Sequence, residues 1–235
     1  MTYSNVDPDE IAKFEALASR WWDENSEFKP LHDINPLRAS WIDQFSEVRG
    51  KKLIDVGCGG GLLSEAMAHR GATVTGIDMG EAPLSVAKIH LLESKLDIEY
   101  RQTTAETIAE ERPATYDVVT CLEMLEHVPD PSKVIQACAD MAKPGADLYF
   151  STINRNPKAW LFAIVGAEYV LNLLPKGTHE YDKLIKPSEL ARWARAAGLT
   201  VEAMIGLTYN PITKHYRLVE GDVSVNYMIR ASQPA

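Results

Sequence analysis

The stretch Lys52-Leu53-Ile54-Asp55-Val56-Gly57-Cys58-Gly59-Gly60-Gly61 constrains this chain more than any other. A short apolar run carries an acid near its end, and four of the next five residues are glycine. Leu62 then opens a helical pattern, so the stretch reads as strand, tight turn and helix. Glycines at such a turn permit positive φ and let a ligand lie against bare backbone. The helix start behind them offers N–H groups with no partner inside the helix.

Downstream, strand and helix alternate. Strands are expected at 52–56, 73–77, 98–102, 116–121, 147–152 and 199–206, and helices at 62–70, 82–94, 132–142 and 187–197. Gly71, Pro144-Gly145 and Gly198 stop three of these helices, and residues 216–218 and 223–229 read as a terminal strand or hairpin. Such alternation indicates crossover units, a mostly parallel sheet and a doubly wound α/β fold. A ligand then sits beyond the strand C-termini, at the point where the strand order reverses.

Residues 1–50 lie outside this pattern. Asp7-Pro8-Asp9-Glu10 reads as a helix start, with Asp7 as cap, Pro8 in the first turn and Glu10 closing a capping box. Ile11, Phe14, Leu17, Ala18, Trp21 and Trp22 follow at helical spacing. The segment is either plain core packing or a helical lid that brings Trp21 or Trp22 near a ligand. After two proline-punctuated stretches, a second helix is expected at 36–47.

With 235 residues, 46% of them hydrophobic, the chain suits one globular domain, 51–235, behind the N-terminal helices. A net charge of -9 argues against a uniform nucleic-acid-binding surface. Three cysteines, Cys58, Cys121 and Cys138, make a disulfide framework improbable, and neither Cys58 nor Cys121 has an activating partner in sequence. The polar, acidic start lacks the features of a signal peptide, and no apolar run reaches the ~20 residues of a membrane span. A cytoplasmic location is expected.

The glycine spacing decides between cofactors. A dinucleotide turn wants Gly-x-Gly-x-x-Gly. Here position 62 is Leu and the third glycine comes one residue early. Asp55 is badly placed beside a pyrophosphate and well placed beside a cation. Asp78, 21 residues after Gly57, ends the second strand, where an acid can take both hydroxyls of a ribose. A nucleoside with a positive, phosphate-free end fits, and S-adenosylmethionine is such a molecule. A nicotinamide-dependent dehydrogenase is the alternative that the early glycine and Asp55 disfavour.

The glycine turn resembles the first motif of the Rossmann-like class I S-adenosylmethionine-dependent methyltransferases. Phe14…Trp21-Trp22-Asp23, Phe28-Lys29-Pro30-Leu31-His32, Ile34-Asn35-Pro36-Leu37-Arg38, Cys121-Leu122-Glu123-Met124-Leu125-Glu126-His127-Val128-Pro129-Asp130 and Pro175-Lys176-Gly177-Thr178-His179 are similar to the ubiquinone-biosynthesis O-methyltransferases, from about Asp7 to Arg230. That resemblance implies a seven-stranded sheet and two O-methylations, one of a polyprenyl-hydroxyphenol and one of a 3-demethylubiquinol-type catechol. It implies cofactor contacts at Arg38 (methionine carboxylate), Gly57 (close backbone approach), Asp78 (ribose) and Leu122 (adenosine). Thr104-Ala105-Glu106 flanks the adenine by analogy with the fold. Other ubiquinone-biosynthesis proteins are expected partners. A soluble phenol or a carbon acid remains the alternative substrate.

Glu123, Glu126 and His127 lie at i, i+3 and i+4, on one face if the segment is helical. They are a solvated or capping face, or catalytic, with His127 as general base for a phenolic hydroxyl, or ligands for Mg²⁺. Methyl transfer itself is an in-line displacement that needs no enzyme nucleophile. Residues 154–186 form a long insert with a continuous apolar run from Ala159 to Ala167. Arg155, Lys158, Lys176, Lys183 and Lys186 surround it, against Glu168, Glu180 and Asp182. It reads as a buried helix over the site, or as a substrate lid whose residues 158–180 also touch the inner face of a membrane.

Overall fold

The computed structural model describes residues 5–161, 181–210 and 212–235. The apolar run of the insert therefore lies largely outside the described residues. Eight helices, α1 (Pro8–Leu17), α2 (Lys29–Ser46), α3 (Leu62–His69), α4 (Glu81–Ser94), α5 (Ala105–Glu111), α6 (Pro131–Met141), the single turn α7 (Pro157–Ala159) and α8 (Pro187–Ala196), accompany eight strands among these residues. The strands are β1 (Lys52–Val56), β2 (Thr73–Asp78), β3 (Ile98–Gln102), β4 (Tyr116–Leu122), β5 (Ala142–Ile153), β6 (Thr200–Asn210), β7 (His215–Glu220) and β8 (Asn226–Ser232).

They form one sheet in the order β3-β2-β1-β4-β5-β8-β6-β7. The first five run parallel, and β8 lies antiparallel between β5 and β6. The sheet has one strand more than expected, because the tail makes two strands: β7 pairs with β6 at the edge and β8 returns to the interior. Order reverses at β1, which has β2 on one side and β4 on the other.

Adjacent residues of the inner strands divide between two cores, as strand pleating requires. Ile54, Val119, Phe150 and Ile229 join one core, and Leu53, Val118, Tyr149 and Met228 the other. Leu53 and Ile54 are both fully buried. Side chains of this size contribute ~1.5–3 kcal/mol each when buried. Helices on both faces explain why β1 is a continuous apolar run rather than an alternating one.

Three local differences from expectation have physical causes. Helix α2 starts at Lys29 and carries Pro36 in its interior. Pro30 sits in the first turn, where a missing N–H is harmless. The burial of Ile34, Trp41 and Ile42, with Asn35 Nδ2 donating to the Leu62 carbonyl at 2.9 Å, outweighs the bond lost at Pro36. Helix α5 was not expected; Thr104 caps it by accepting the Thr107 N–H. Strand β5 begins at Ala142, because Pro144-Gly145 lies where the register jumps from Tyr116↔Ala142 to Val118↔Asp147.

Candidate functional site

A cavity of about 840 Å³ opens at the C-terminal ends of β1, β2 and β4, where the strand order reverses. Arg38, Gly57, Asp78, Leu122, Glu123, Glu126 and His127 all line it. Sequence positions 38 to 127 are thus brought to one place by the sheet.

The glycine turn forms the floor. Gly57, Gly59 and Gly61 have φ of +73°, +52° and +90°. A Cβ on Gly59 or Gly60 would stand 2.1–2.4 Å from the Trp21 indole, and one on Gly57 2.5 Å from Met124 Cγ. Glycine is required here for close approach as well as for conformation. Trp21 stacks on Phe28, with ring centroids 4.2 Å apart. Trp22 donates its indole N–H to the Gly60 carbonyl at 2.9 Å and stacks on His90.

Asp78 accepts the N–H groups of Gly59 at 2.9 Å and Gly80 at 2.8 Å, one on each carboxylate oxygen. Burial outweighs these bonds and raises its pKa. Asp55 is buried and accepts the hydroxyls of Ser64 at 2.7 Å and Thr120 at 2.8 Å. Burial, opposed by those two bonds and reinforced by the charge of Asp78, pushes its pKa up to about 6.

This shift makes a stability prediction. The folded Asp55 binds its proton more tightly than the unfolded one, whose ordinary pKa is 3.8. Between about pH 4 and pH 6 the native state therefore holds more protons, and stability falls as pH rises through that window, by about 3 kcal/mol from this group. Asp55→Asn carries no such charge. Its stability relative to the parent should rise across the same window in urea unfolding; parallel pH curves for the two proteins would contradict this account.

Arg38, 5% exposed, forms an ion pair with Glu123. Glu123 also accepts from Ser151 Oγ at 2.7 Å and from Asn226 Nδ2 at 3.0 Å, and it has a left-handed φ of +53°. Its left-handed backbone corrects the expected single helical face. After it comes one 3₁₀ turn, Leu125–His127, and the three side chains diverge. Glu126 accepts from Thr152 Oγ1 at 2.8 Å, and His127 Nδ1 meets Glu10 Oε2 at 2.9 Å. Among the described residues no three His, Cys, Asp or Glu side chains stand together as a set that could hold a metal ion. The proposed Mg²⁺ ligands thus do not converge in this arrangement.

Burial pushes the His127 pKa down, but the Glu10 hydrogen bond and the charges of Glu126, Glu10 and Glu123 outweigh it, leaving a net rise. Glu10 itself is held well below the usual carboxylate range by His127, against burial and with help from Lys13 and Lys183. The residue expected to close a capping box is therefore turned inward, while Asp7 alone caps α1 through the N–H groups of Asp9 and Glu10.

A protein-family model described as "Methyltransferase domain" matches residues 31–204. A ubiquinone biosynthesis O-methyltransferase of Pseudomonas fluorescens (strain Pf0-1) is 71% identical over 97% of this chain and 97% of its own length. One from Pseudomonas syringae pv. tomato (strain ATCC BAA-871 / DC3000) is 70% identical over 99% and 100%. The chain belongs to the ubiquinone biosynthesis O-methyltransferases. Solved methyltransferases share its fold. A magnesium protoporphyrin IX methyltransferase of Synechocystis PCC 6803 with bound SAH has a TM-score of 0.68 at 18% identity, covering 96% of this chain and 93% of the other. A SAM-dependent methyltransferase of Thermotoga maritima, a possible histamine N-methyltransferase, has a TM-score of 0.67 at 14% identity, covering 96% and 99%.

The methyltransferase's donor set fits S-adenosylmethionine. Asp78 is an acid at the end of β2, suited to ribose hydroxyls, and each carboxylate oxygen can accept more than one bond. Arg38 Nε is buried with no hydrogen-bond partner among the described residues, a donor suited to a carboxylate. Leu122 gives an apolar surface, and Thr104, Ala105 and Glu106 line the cavity beside it.

Several residues of the methyltransferase site escaped sequence reasoning: Glu10, Ser151, Thr152 and Asn226. Their partners lie 117, 28, 26 and 103 positions away, so no local spacing signals them. Three members of the insert's basic rim have partners within the fold. Arg155 pairs with Glu189, Lys158 donates to Ser224 Oγ at 2.7 Å, and Lys183 meets Glu10 at 2.9 Å. No helix among the described residues is long and apolar enough to cross a membrane.

Proposed function

We propose that this methyltransferase O-methylates the phenolic hydroxyls of polyprenyl-hydroxyphenol and 3-demethylubiquinol-type catechol substrates. The carrying observation is one cavity that joins the glycine turn, Asp78 and Arg38 to His127. Bound S-adenosylmethionine supplies an electrophilic methyl group. Asp78 takes its ribose, Arg38 its carboxylate, Gly57 its close backbone contact and Leu122 its adenosine.

His127 is the base. The ionised Glu10 carboxylate only accepts hydrogen bonds, so Nδ1 carries a proton. The neutral ring then has its lone pair on Nε2, the nitrogen that would receive the phenolic proton while the cofactor, when bound, supplies the methyl group. Residues 1–50 act as the lid: Trp21 and Trp22 hold α1 and the following turn against the glycines, which keeps water from the reacting atoms. The insert, whose Trp160 (45% exposed) and Leu161 (51% exposed) face solvent, meets the membrane from which a polyprenyl chain is drawn.

The test is methyl transfer from labelled cofactor to catechols with and without a prenyl tail. Preference for the tailed substrate, and loss of liposome flotation when the apolar run of the insert is deleted, support the reading. Equal turnover of untailed catechol together with unchanged flotation would overturn it.

A second reading keeps Mg²⁺, because Glu123, Glu126 and His127 all line the cavity. It asks the Arg38–Glu123 and Glu10–His127 contacts to open. Assay after chelation separates the two: retained turnover supports the imidazole base, and turnover restored only by Mg²⁺ supports the ion.

A further inference from the structure

Helix α1 reaches His127 through two side chains one turn apart. Glu10 and Phe14 are at i and i+4, on one face of the helix. Glu10, 4% exposed, accepts Nδ1–H of His127 at 2.9 Å. The Phe14 ring meets the imidazole nearly perpendicularly, at 88° with centroids 5.0 Å apart. One contact sets which nitrogen carries the proton, and the other sets the plane of the ring.

We infer that Glu10 and Phe14 form a clamp that holds the His127 imidazole in its working tautomer and plane, which makes Glu10 a positioning residue for methyl transfer. This rests on the reading of His127 as the base. A carboxylate bonded to one ring nitrogen commonly fixes the tautomer and orientation of a catalytic histidine. Here the carboxylate comes from a helix outside the α/β core, 117 residues earlier in the chain.

The clamp is itself anchored. Asn5 Nδ2 donates to the Asp130 carbonyl at 3.0 Å and to Glu106 Oε1 at 2.8 Å, while Asn5 Oδ1 accepts the Asp130 N–H at 2.8 Å. These bonds join the start of α1 to the chain three residues past His127. Lys183 Nζ and Lys13 Nζ both meet Glu10 Oε1 at 2.9 Å, and Oε2 takes the imidazole. Lys183 belongs to the turn Tyr181–Lys183 near the end of the insert, so one carboxylate joins the insert, the N-terminal helix and the base.

The experiment places Glu10→Gln and Glu10→Ala in the full-length parent and in a His127→Gln background, with cofactor binding measured by calorimetry. Glu10→Ala should lower kcat, by no more than the ~10²–10⁴-fold that a positioned base contributes, and leave cofactor affinity unchanged, with Glu10→Gln, which keeps an acceptor oxygen, falling between. In the His127→Gln background Glu10→Ala should cost nothing further, since groups that act as a unit are non-additive. Nitrogen-15 spectra of the ring should show a protonated Nδ1 in the parent and a changed tautomer balance in Glu10→Ala. Loss in His127→Gln without loss in Glu10→Ala, or an unchanged tautomer, would overturn the clamp alone. Full activity of His127→Gln would overturn the base, and the clamp with it.

Discussion

His127→Gln should lower kcat for a phenolic substrate by about 10²–10⁴-fold, the range that a positioned general base contributes. Gln keeps a polar group opposite Glu10, so the buried carboxylate is not stranded. The loss should also depend on pH in a specific way. The parent's imidazole must be neutral to accept a proton, and its pKa is raised. Its kcat should therefore climb with pH through a value above the ordinary 6.5 of histidine. The variant lacks this limb. Its deficit should shrink as pH nears the phenol's own pKa, about 10 for a simple phenol, where substrate ionises unaided. A deficit that is flat across pH would indicate that His127 acts in binding rather than in proton transfer.

Arg38→Ala should show two separable losses. Glu123 keeps Ser151 and Asn226 but loses its buried cation. Breaking a buried pair costs ~3–5 kcal/mol; partial compensation lowers the expected loss here to about 2–3 kcal/mol in urea unfolding. Cofactor affinity should fall about 10- to 100-fold, the worth of a charge-assisted hydrogen bond of ~1.5–3 kcal/mol. The double variant Arg38→Met with Glu123→Gln removes both charges together. It should recover most of the stability and none of the affinity. Recovery of both would mean that Arg38 serves the fold alone.

The turn at residues 57–61 was legible because its chemistry is local. Glycine at fixed offsets after an apolar run has few structural meanings, and β1 and β3 fall at the residues expected. The expected cofactor contacts Arg38, Gly57, Asp78 and Leu122 came from the resemblance of the motifs around them, and all four line one cavity. Pro36 misled because propensity is a local argument, whereas the helix around it is held by Ile34, Trp41 and Ile42. Glu10 misled for a similar reason. Its place three residues after a capping Asp has a sufficient local explanation, and the contact that matters lies 117 residues away. The apparent helical triad at 123–127 failed at one backbone angle, the positive φ of Glu123, which no side-chain pattern announces.

Strand β8 has a consequence for how the enzyme comes into being. Among the described residues it is the last strand in chain order, yet it lies inside the sheet, hydrogen-bonded on both sides. Until residues 226–232 leave the ribosome, β5 has an open edge and the hairpin of β6 and β7 has nowhere to dock. Asn226, at the leading end of β8, is also a donor to Glu123. Contacts of such long sequence separation form late. A chain cut before residue 226 therefore holds an incomplete site, and catalytic competence arrives together with the closure of the sheet.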